Sequence, residues 1–414
     1  MAKNSEVILN PIFLKNKIAE LGIKQWWLAE QIGVDRKTVI RWIQGKVKSI
    51  QLSNAEALAK ILDCNITDLT LQNEAEQLAT PEDQKNAANL IATSSLIDKL
   101  GPIGEWNVIE SLLKATIVPN LPLNVLGELY NQLTIASWRQ SKIDQADLYN
   151  KKAEEIGLKC GDKSVLAGAL HSKANIFSWR GKISQAIQTY KECLQLDRFL
   201  EPRAMGTSYS NLGAVLYESG DLVSGEEFQM KALEIFSFNG KPMNLSISWC
   251  HLTFIFLEQE KLNEAAKACE NSISFANQDD YRRGLSIGEL LLSEIFARKN
   301  AILEAREHLK KGLDGFFQLG IEEGLNYEIA GRVSRLLGDL DQSEKFLNKG
   351  ISISSDFPVY HAALHLEMAK TQKALSKSAE AKKYAEIAKA LYQNCEAPLR
   401  ASMANEFIKS IKET

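Results

Sequence analysis

The sequence predicts an all-α protein in two parts. A five-helix N-terminal domain, built on two short helices joined by a tight turn, precedes an α-solenoid of repeated helix pairs. Two observations carry this. Over residues 12–69, apolar residues recur at helical spacing between polar caps and glycine stops. Further on, a small residue returns about every 40 positions, at Ala146, Ala186, Gly225, Ala265, Ala305, Ser343 and Ala381, the mark of a repeat array.

The totals agree with that division. At 414 residues the chain exceeds one ordinary core. Net charge is −3, yet residues 1–70 hold ten basic and seven acidic residues, so the basic excess sits at the N-terminus. The opening MAKNSEVILNP lacks the apolar run of a signal peptide, and residues 1–12 read as a loose arm. The most apolar later run, Ile247 to Leu257, is 11 residues long, against the roughly 20 that cross a bilayer. No membrane partner is expected. Six cysteines without a C-x-x-C fit reduced thiols in a cytoplasmic protein.

Taken in order, Leu14, Ile18 and Leu21 share one face of a first helix that Gly22 closes. The stretch Lys24–Lys46, KQWWLAEQIGVDRKTVIRWIQGK, then supplies two more. Leu28, Ala29 and Ile32 form the inner face of the first, and Gly33-Val34 turns the chain. Asp35 caps a second helix through Arg36, Lys37, Thr38, Val39, Arg41 and Trp42, and Gly45 stops it. A capped, basic helix after a glycine turn is how a protein presents a helix to the major groove. Lys46 to Ser49 forms a basic loop. Ser53 is expected to cap a further helix through Ala55, Leu58 and Leu62, and Ile66 and Leu69 complete the core.

On Gln25, Leu28-Ala29, Gly33-Val34, Thr38, Arg41-Trp42, Gly45-Lys46, Leu58-Ala59 and Leu62, residues 14–69 resemble the bacterial Xre/Cro-type helix-turn-helix domain. The family pattern is broken by Trp26-Trp27 and Ile43, where polar or acidic residues are usual, and by Ile40, often small. By matching positions, the resemblance implies that Gln25 touches a phosphate and that Arg36, Lys37, Thr38 and Arg41 face the groove. Lys46 and Lys48 would follow the DNA backbone. Arg and Lys are the chemically expected partners of guanine and phosphate. One such domain covers a half-site, so a homodimer on a palindromic double-stranded site is expected. Of Trp26 and Trp27, one is expected to pack inside the domain and the other to meet the repeats or a second subunit.

Residues 71–104 read as a linker passing into a first helix, 105–390 as the array and 391–414 as a capping helix. Three residues before each small residue stands an apolar one (Ile143, Ile183, Leu222, Leu262, Ile302, Leu340), failing only at Ser378. Two before that comes a turn residue: Ser141, Gly181, Gly220, Asn300, Gly338 and Ser376, with Glu260 the odd one. Each unit is therefore helix, turn, helix. On Leu212-Gly213, Leu216-Tyr217, Gly220-Asp221 and Lys231-Ala232-Leu233 the unit Tyr209 to Ile235 resembles the tetratricopeptide repeat, which implies a right-handed solenoid whose first helices line a concave groove. Projecting the units onto that pattern names Asn131, Arg139, His171, Asn175, Trp179, Asn211, Tyr217, Phe254, Glu294, Arg298, Arg332 and Arg335 as groove residues. Asparagine offers a peptide backbone both a donor and an acceptor, arginine holds a terminal carboxylate, and the aromatics form apolar walls.

There is no glycine-rich phosphate loop, H-E-x-x-H or G-x-S-x-G, so neither catalysis nor a cofactor is expected. His361 and His365 sit four apart on a helix but lack the further ligands of a metal site. The two parts together resemble the peptide-sensing quorum-sensing regulators of bacteria and phages (the Rap/Rgg/NprR/PlcR/PrgX group and arbitrium receptors). That resemblance implies a cytoplasmic transcriptional regulator, a homodimer whose array binds a short signalling peptide that modulates DNA binding. The competing expectation is a regulator whose array binds a protein, an antirepressor or a polymerase subunit; a phosphatase-like role is a third.

Overall fold

The computed structural model describes residues 6–47, 49–70, 81–93, 97 and 104–411. Lys48, Gly101-Pro102 and residues 71–80 of the linker lie outside the described residues. Contacts divide the chain into two compact units, residues 1–90 and 91–414.

Over residues 11–69 of the first unit, five helices follow the caps among the described residues: α1 (Pro11–Glu20), α2 (Gln25–Ile32), α3 (Arg36–Ile43), α4 (Leu52–Ile61) and α5 (Ile66–Leu69). Their shared core is Leu14, Leu28, Val39, Trp42, Leu58 and Leu62, all nearly or wholly buried. One expectation is corrected. Residues 6–8 are not a loose arm but a strand, β1 (Glu6–Ile8), antiparallel to β2 (Ser49–Gln51), with Val7 opposite Ile50. The cause is local. Leu9 buries its side chain in the core, and Asn10 accepts a hydrogen bond from the Phe13 amide at 3.0 Å, starting α1 at once on Pro11. The start of α4 is also earlier than expected, with Gln51 rather than Ser53 at its N-cap.

The second unit is a right-handed α-solenoid of seven helix pairs. Repeat 1 is Leu123–Arg139 with Ile143–Cys160, repeat 2 Lys163–Trp179 with Ile183–Leu194, and repeat 3 Pro202–Ser219 with Leu222–Asn239. Repeat 4 is Pro242–Glu258 with Leu262–Gln278, repeat 5 Arg282–Arg298 with Ile302–Gln318, repeat 6 Gly324–Leu336 with Leu340–Ile353, and repeat 7 Pro358–Ala374 with Ser378–Asn394. A last helix, Pro398–Lys409, packs on repeat 7.

The repeating small residue is buried in every pair, because it lies where the two helices touch. In repeat 3 the approach is close: a Cβ on Gly213 would stand 3.0 Å from the Gly225 carbonyl oxygen. The turn residue adopts a left-handed conformation in all seven pairs, including Ser141 (φ 59°), Glu260 (φ 61°) and Asn300 (φ 60°). The backbone thus repeats even where the residue type does not. A side chain there costs about 1 kcal/mol relative to glycine. Glu260→Gly is therefore expected to raise stability by about 0.5–1 kcal/mol in urea denaturation, since Glu260 is exposed and loses no packing. A decrease would show that the helix pair is not held by this turn.

The array also closes on itself. The Ile183 amide donates to the Cys395 carbonyl oxygen at 3.2 Å, and Ser184 Oγ to the Glu396 carbonyl oxygen at 3.0 Å, although 212 residues separate the latter pair. Trp179 and Phe357 pack in a tilted pair with ring centroids 4.3 Å apart. One buried cluster joins Ala174, Tyr190 and Leu216 of repeats 2 and 3 to Ala362, Tyr392 and Ala401 of repeat 7 and the last helix. This seam turns the expected open groove into a lumen.

Candidate nucleic-acid interface and lumen

Helix α3 is fixed at both ends. Asp35 Oδ1 accepts the Thr38 amide at 2.9 Å, and the Thr38 hydroxyl donates to Asp35 Oδ2 at 2.8 Å. Those bonds hold the Asp35 carboxyl below the usual carboxylate range. Gly33 (φ 78°) makes the turn from α2, and Gly45 (φ 66°) ends the segment against Pro11. Val39 and Trp42 point into the core, which leaves Arg36, Lys37 and Arg41 exposed on one capped helix. Gln25 is half-buried at the first position of α2, and Lys46 is exposed. The Thr38 hydroxyl proton is committed to Asp35, so toward a base it can only accept. Neither Trp26 nor Trp27 packs inside the domain as expected: they are 56% and 39% exposed. Leu28 and Ala29 take the inner face of α2, and the tandem indoles lie outside it.

In the second unit the first helices of repeats 3 to 7 and the last helix enclose a cavity of about 420 Å³. Of the expected groove residues, Tyr217, Phe254, Arg298, Arg332 and Arg335 line it. Glu294 lies in the floor beneath them, and the others lie elsewhere. Asn131 is 4% exposed and gives its amide to the Val165 carbonyl oxygen at 3.0 Å, so it ties repeat 1 to repeat 2. Asn175 and Asn211 bond each other at 3.0 Å, and Tyr190 also donates to Asn175. His171 meets Ser208 at 2.8 Å, with burial pushing its pKa down to about 4. Trp179 sits at the seam and Arg139 against Trp106 and Trp138.

The floor of the cavity is an ion network. Glu294 is fully buried and accepts from Arg298 at 2.6 Å and from Arg332 at 3.1 Å. Arg332 also bonds Glu328, and Arg335 reaches Glu367 at 3.0 Å. Burial alone would push the Glu367 carboxyl up, but Lys370, Arg335 and Arg332 more than offset it and hold it well below the carboxylate range. Projection of the repeats missed Arg400, which comes from the last helix. It pairs with Glu258 and donates to the Tyr217 carbonyl oxygen at 2.6 Å. Glu218 beside it is underpartnered, with Ser178 and Tyr360 hydroxyls at 3.4 and 3.5 Å, and burial pushes it up to about 7. His251 also lines the wall and bonds Gln229 at 3.1 Å; burial and Arg283 lower its pKa to about 4, so it is neutral at pH 7. The cavity is thus walled by carbon, floored by paired charges and rimmed by a few unsaturated polar groups. That composition suits a small polar chain molecule.

Residues 14–70 match the Cro/C1-type HTH DNA-binding domain family. Two solved structures share the fold. A Rap protein complexed with Competence and Sporulation Factor is 11% identical with a TM-score of 0.56, over 80% of this chain and 98% of that one. RapI, solved in its apo form, is 13% identical with a TM-score of 0.51, over 69% and 99%. PlcR of Bacillus thuringiensis, solved with the peptide PapR7 and DNA, is 17% identical over 70% and 98%, but its TM-score of 0.37 adds nothing to the fold assignment. No curated protein matches the chain by sequence. Among the described residues, no helix is long and apolar enough to cross a membrane.

Proposed function

We propose that this chain, a Cro/C1-type helix-turn-helix DNA-binding domain joined to a closed array of the Rap fold, is a sequence-specific transcriptional regulator controlled by a short peptide. It would act in the cytoplasm as a homodimer on a palindromic site. The observation that carries the DNA half is α3: capped by Asp35, anchored by Val39 and Trp42, with Arg36, Lys37 and Arg41 left free on its surface. Gln25, Thr38, Lys46 and Lys48 would add phosphate and rim contacts.

The peptide half is supported by the lumen. A space of about 420 Å³ falls within the range of ligand pockets and is far smaller than a folded protein. The Rap protein of the same fold was solved with Competence and Sporulation Factor, which supports a factor-binding role for such an array. Occupancy would act by differential affinity for two states of the array. A tenfold change in DNA affinity requires about 1.4 kcal/mol of coupling. A protein partner would have to use the outer surface instead, where Phe238 and Phe317 stand 85% and 86% exposed. The test is selection of random duplexes by the full-length chain, with and without a native peptide extract. A palindromic site whose affinity shifts at least tenfold with the extract is expected. No enriched site removes the DNA reading; a site indifferent to the extract removes the peptide reading.

A further inference from the structure

Arginine is the natural partner of a ligand carboxylate, so the arginines of the lumen, and Arg139 outside its lining, can be sorted by whether a protein carboxylate already occupies them. Arg298 and Arg332 are held by Glu294, Arg335 by Glu367 and Arg400 by Glu258. Arg283, at the start of repeat 5, makes a two-bond pair with Glu323 at 2.6 and 3.2 Å. Recruiting any of these would take a cation away from a carboxylate that it already pairs, which is costly where that carboxylate is buried.

Arg139, at the end of the first helix of repeat 1, differs. Among the described residues it has no carboxylate or carbonyl partner. Its guanidinium lies over two indole rings instead, 4.9 Å from the Trp138 centroid and 5.6 Å from that of Trp106. Its side chain remains solvent-accessible. Trp179 packs edge-on against Trp138 at 5.8 Å and extends the aromatic wall. A second unmet group adjoins the first: the Trp138 indole nitrogen is buried with no hydrogen-bond partner. The buried indole donor is costly to leave unused, and the solvent-facing guanidinium beside it is free to take a new partner.

We propose that Arg139, backed by Trp106 and Trp138 and beside the unpartnered Trp138 indole nitrogen, is a subsite for a free carboxylate of the ligand. This rests on the peptide reading and sharpens it, because it moves the carboxylate from the paired arginines of repeats 5 and 6 to repeat 1. The planar fork of Arg139 can hold both carboxylate oxygens, and the indole walls lower the local dielectric that would weaken the pair. The carboxylate can come from the end of a peptide or from an Asp or Glu side chain.

The test uses immobilised full-length chain and random hexapeptide mixtures, with retained peptides read by mass spectrometry. Mixtures are made with free-acid or amidated C-termini, each with and without Asp and Glu. Wild type is expected to retain acid-terminated or acidic peptides at least tenfold over amidated, acid-free ones, and the arms tell which carboxylate is used. Arg139→Gln should erase that preference while still retaining peptides, and Arg139→Lys should keep part of it. Unchanged melting of both variants excludes misfolding. Retention without acid preference, or a preference that survives Arg139→Gln, overturns the subsite and leaves the peptide reading intact. No retention by wild type overturns both.

Discussion

Arg332→Ala is expected to destabilise the repeat array by about 3–5 kcal/mol, the cost of removing one member of a buried ion cluster. The size follows from what is left behind. Glu294 is fully buried and keeps only Arg298, while Glu328 loses its close cationic partner. Glu367 retains Arg335 and Lys370, so it contributes least to the loss. The deficit is one of uncompensated charge, so adding Glu294→Gln to Arg332→Ala should recover part of it, which a pure packing defect would not. Urea denaturation measures both variants. A loss below about 1 kcal/mol would mean that water in the lumen solvates Glu294 as well as Arg332 does.

The second large effect is on DNA. Arg36→Ala with Arg41→Ala is expected to reduce affinity for the selected site at least a hundredfold, since each arginine–base contact discriminates by about 1–3 kcal/mol. Both residues are exposed on α3, so the thermal transition of the domain should not move. Salt separates two ways of losing affinity. If the arginines touch phosphates alone, the slope of log affinity against log salt falls by about 2 and all sequences weaken alike; base contacts instead cost the preference for the selected site. Footprints unchanged in the double variant would remove α3 as the reader.

What the residues disclosed on their own follows the range of the interactions. The α3 cap involves Asp35 and Thr38, three positions apart, and the turn of each repeat is set within a few residues, so both were legible as local patterns. Glu260 shows that the register outlasts its chemistry: the interval of 40 or so residues located the turn where the residue type did not. The β1–β2 pair escaped because each strand has three residues and is defined only by its partner, 43 positions away. The lumen escaped for the same reason on a larger scale. Projection of one repeat picks out which positions face inward, but not that Asn131 is spent on Val165, that Arg332 is occupied by glutamates of its own and both neighbouring repeats, or that Arg400 of the last helix completes the wall. No pattern within a unit encodes a contact such as that between Ser184 and Glu396.

That contact has a kinetic consequence. An open solenoid is nearly one-dimensional: any repeat can nucleate, growth runs outward and the ends fray first. Joining repeat 2 to the turn that leads into the last helix adds native contacts of very long sequence separation, and contacts of that kind slow folding because chain-closure entropy is lost before they form. The C-terminal helix, normally the first piece of such an array to peel away, becomes the last to arrive and among the hardest to release. Amide exchange should accordingly be slow in Ile183 and around Cys395 and should quicken in both together when the seam is cut, whereas an open array would lose protection from its end inward.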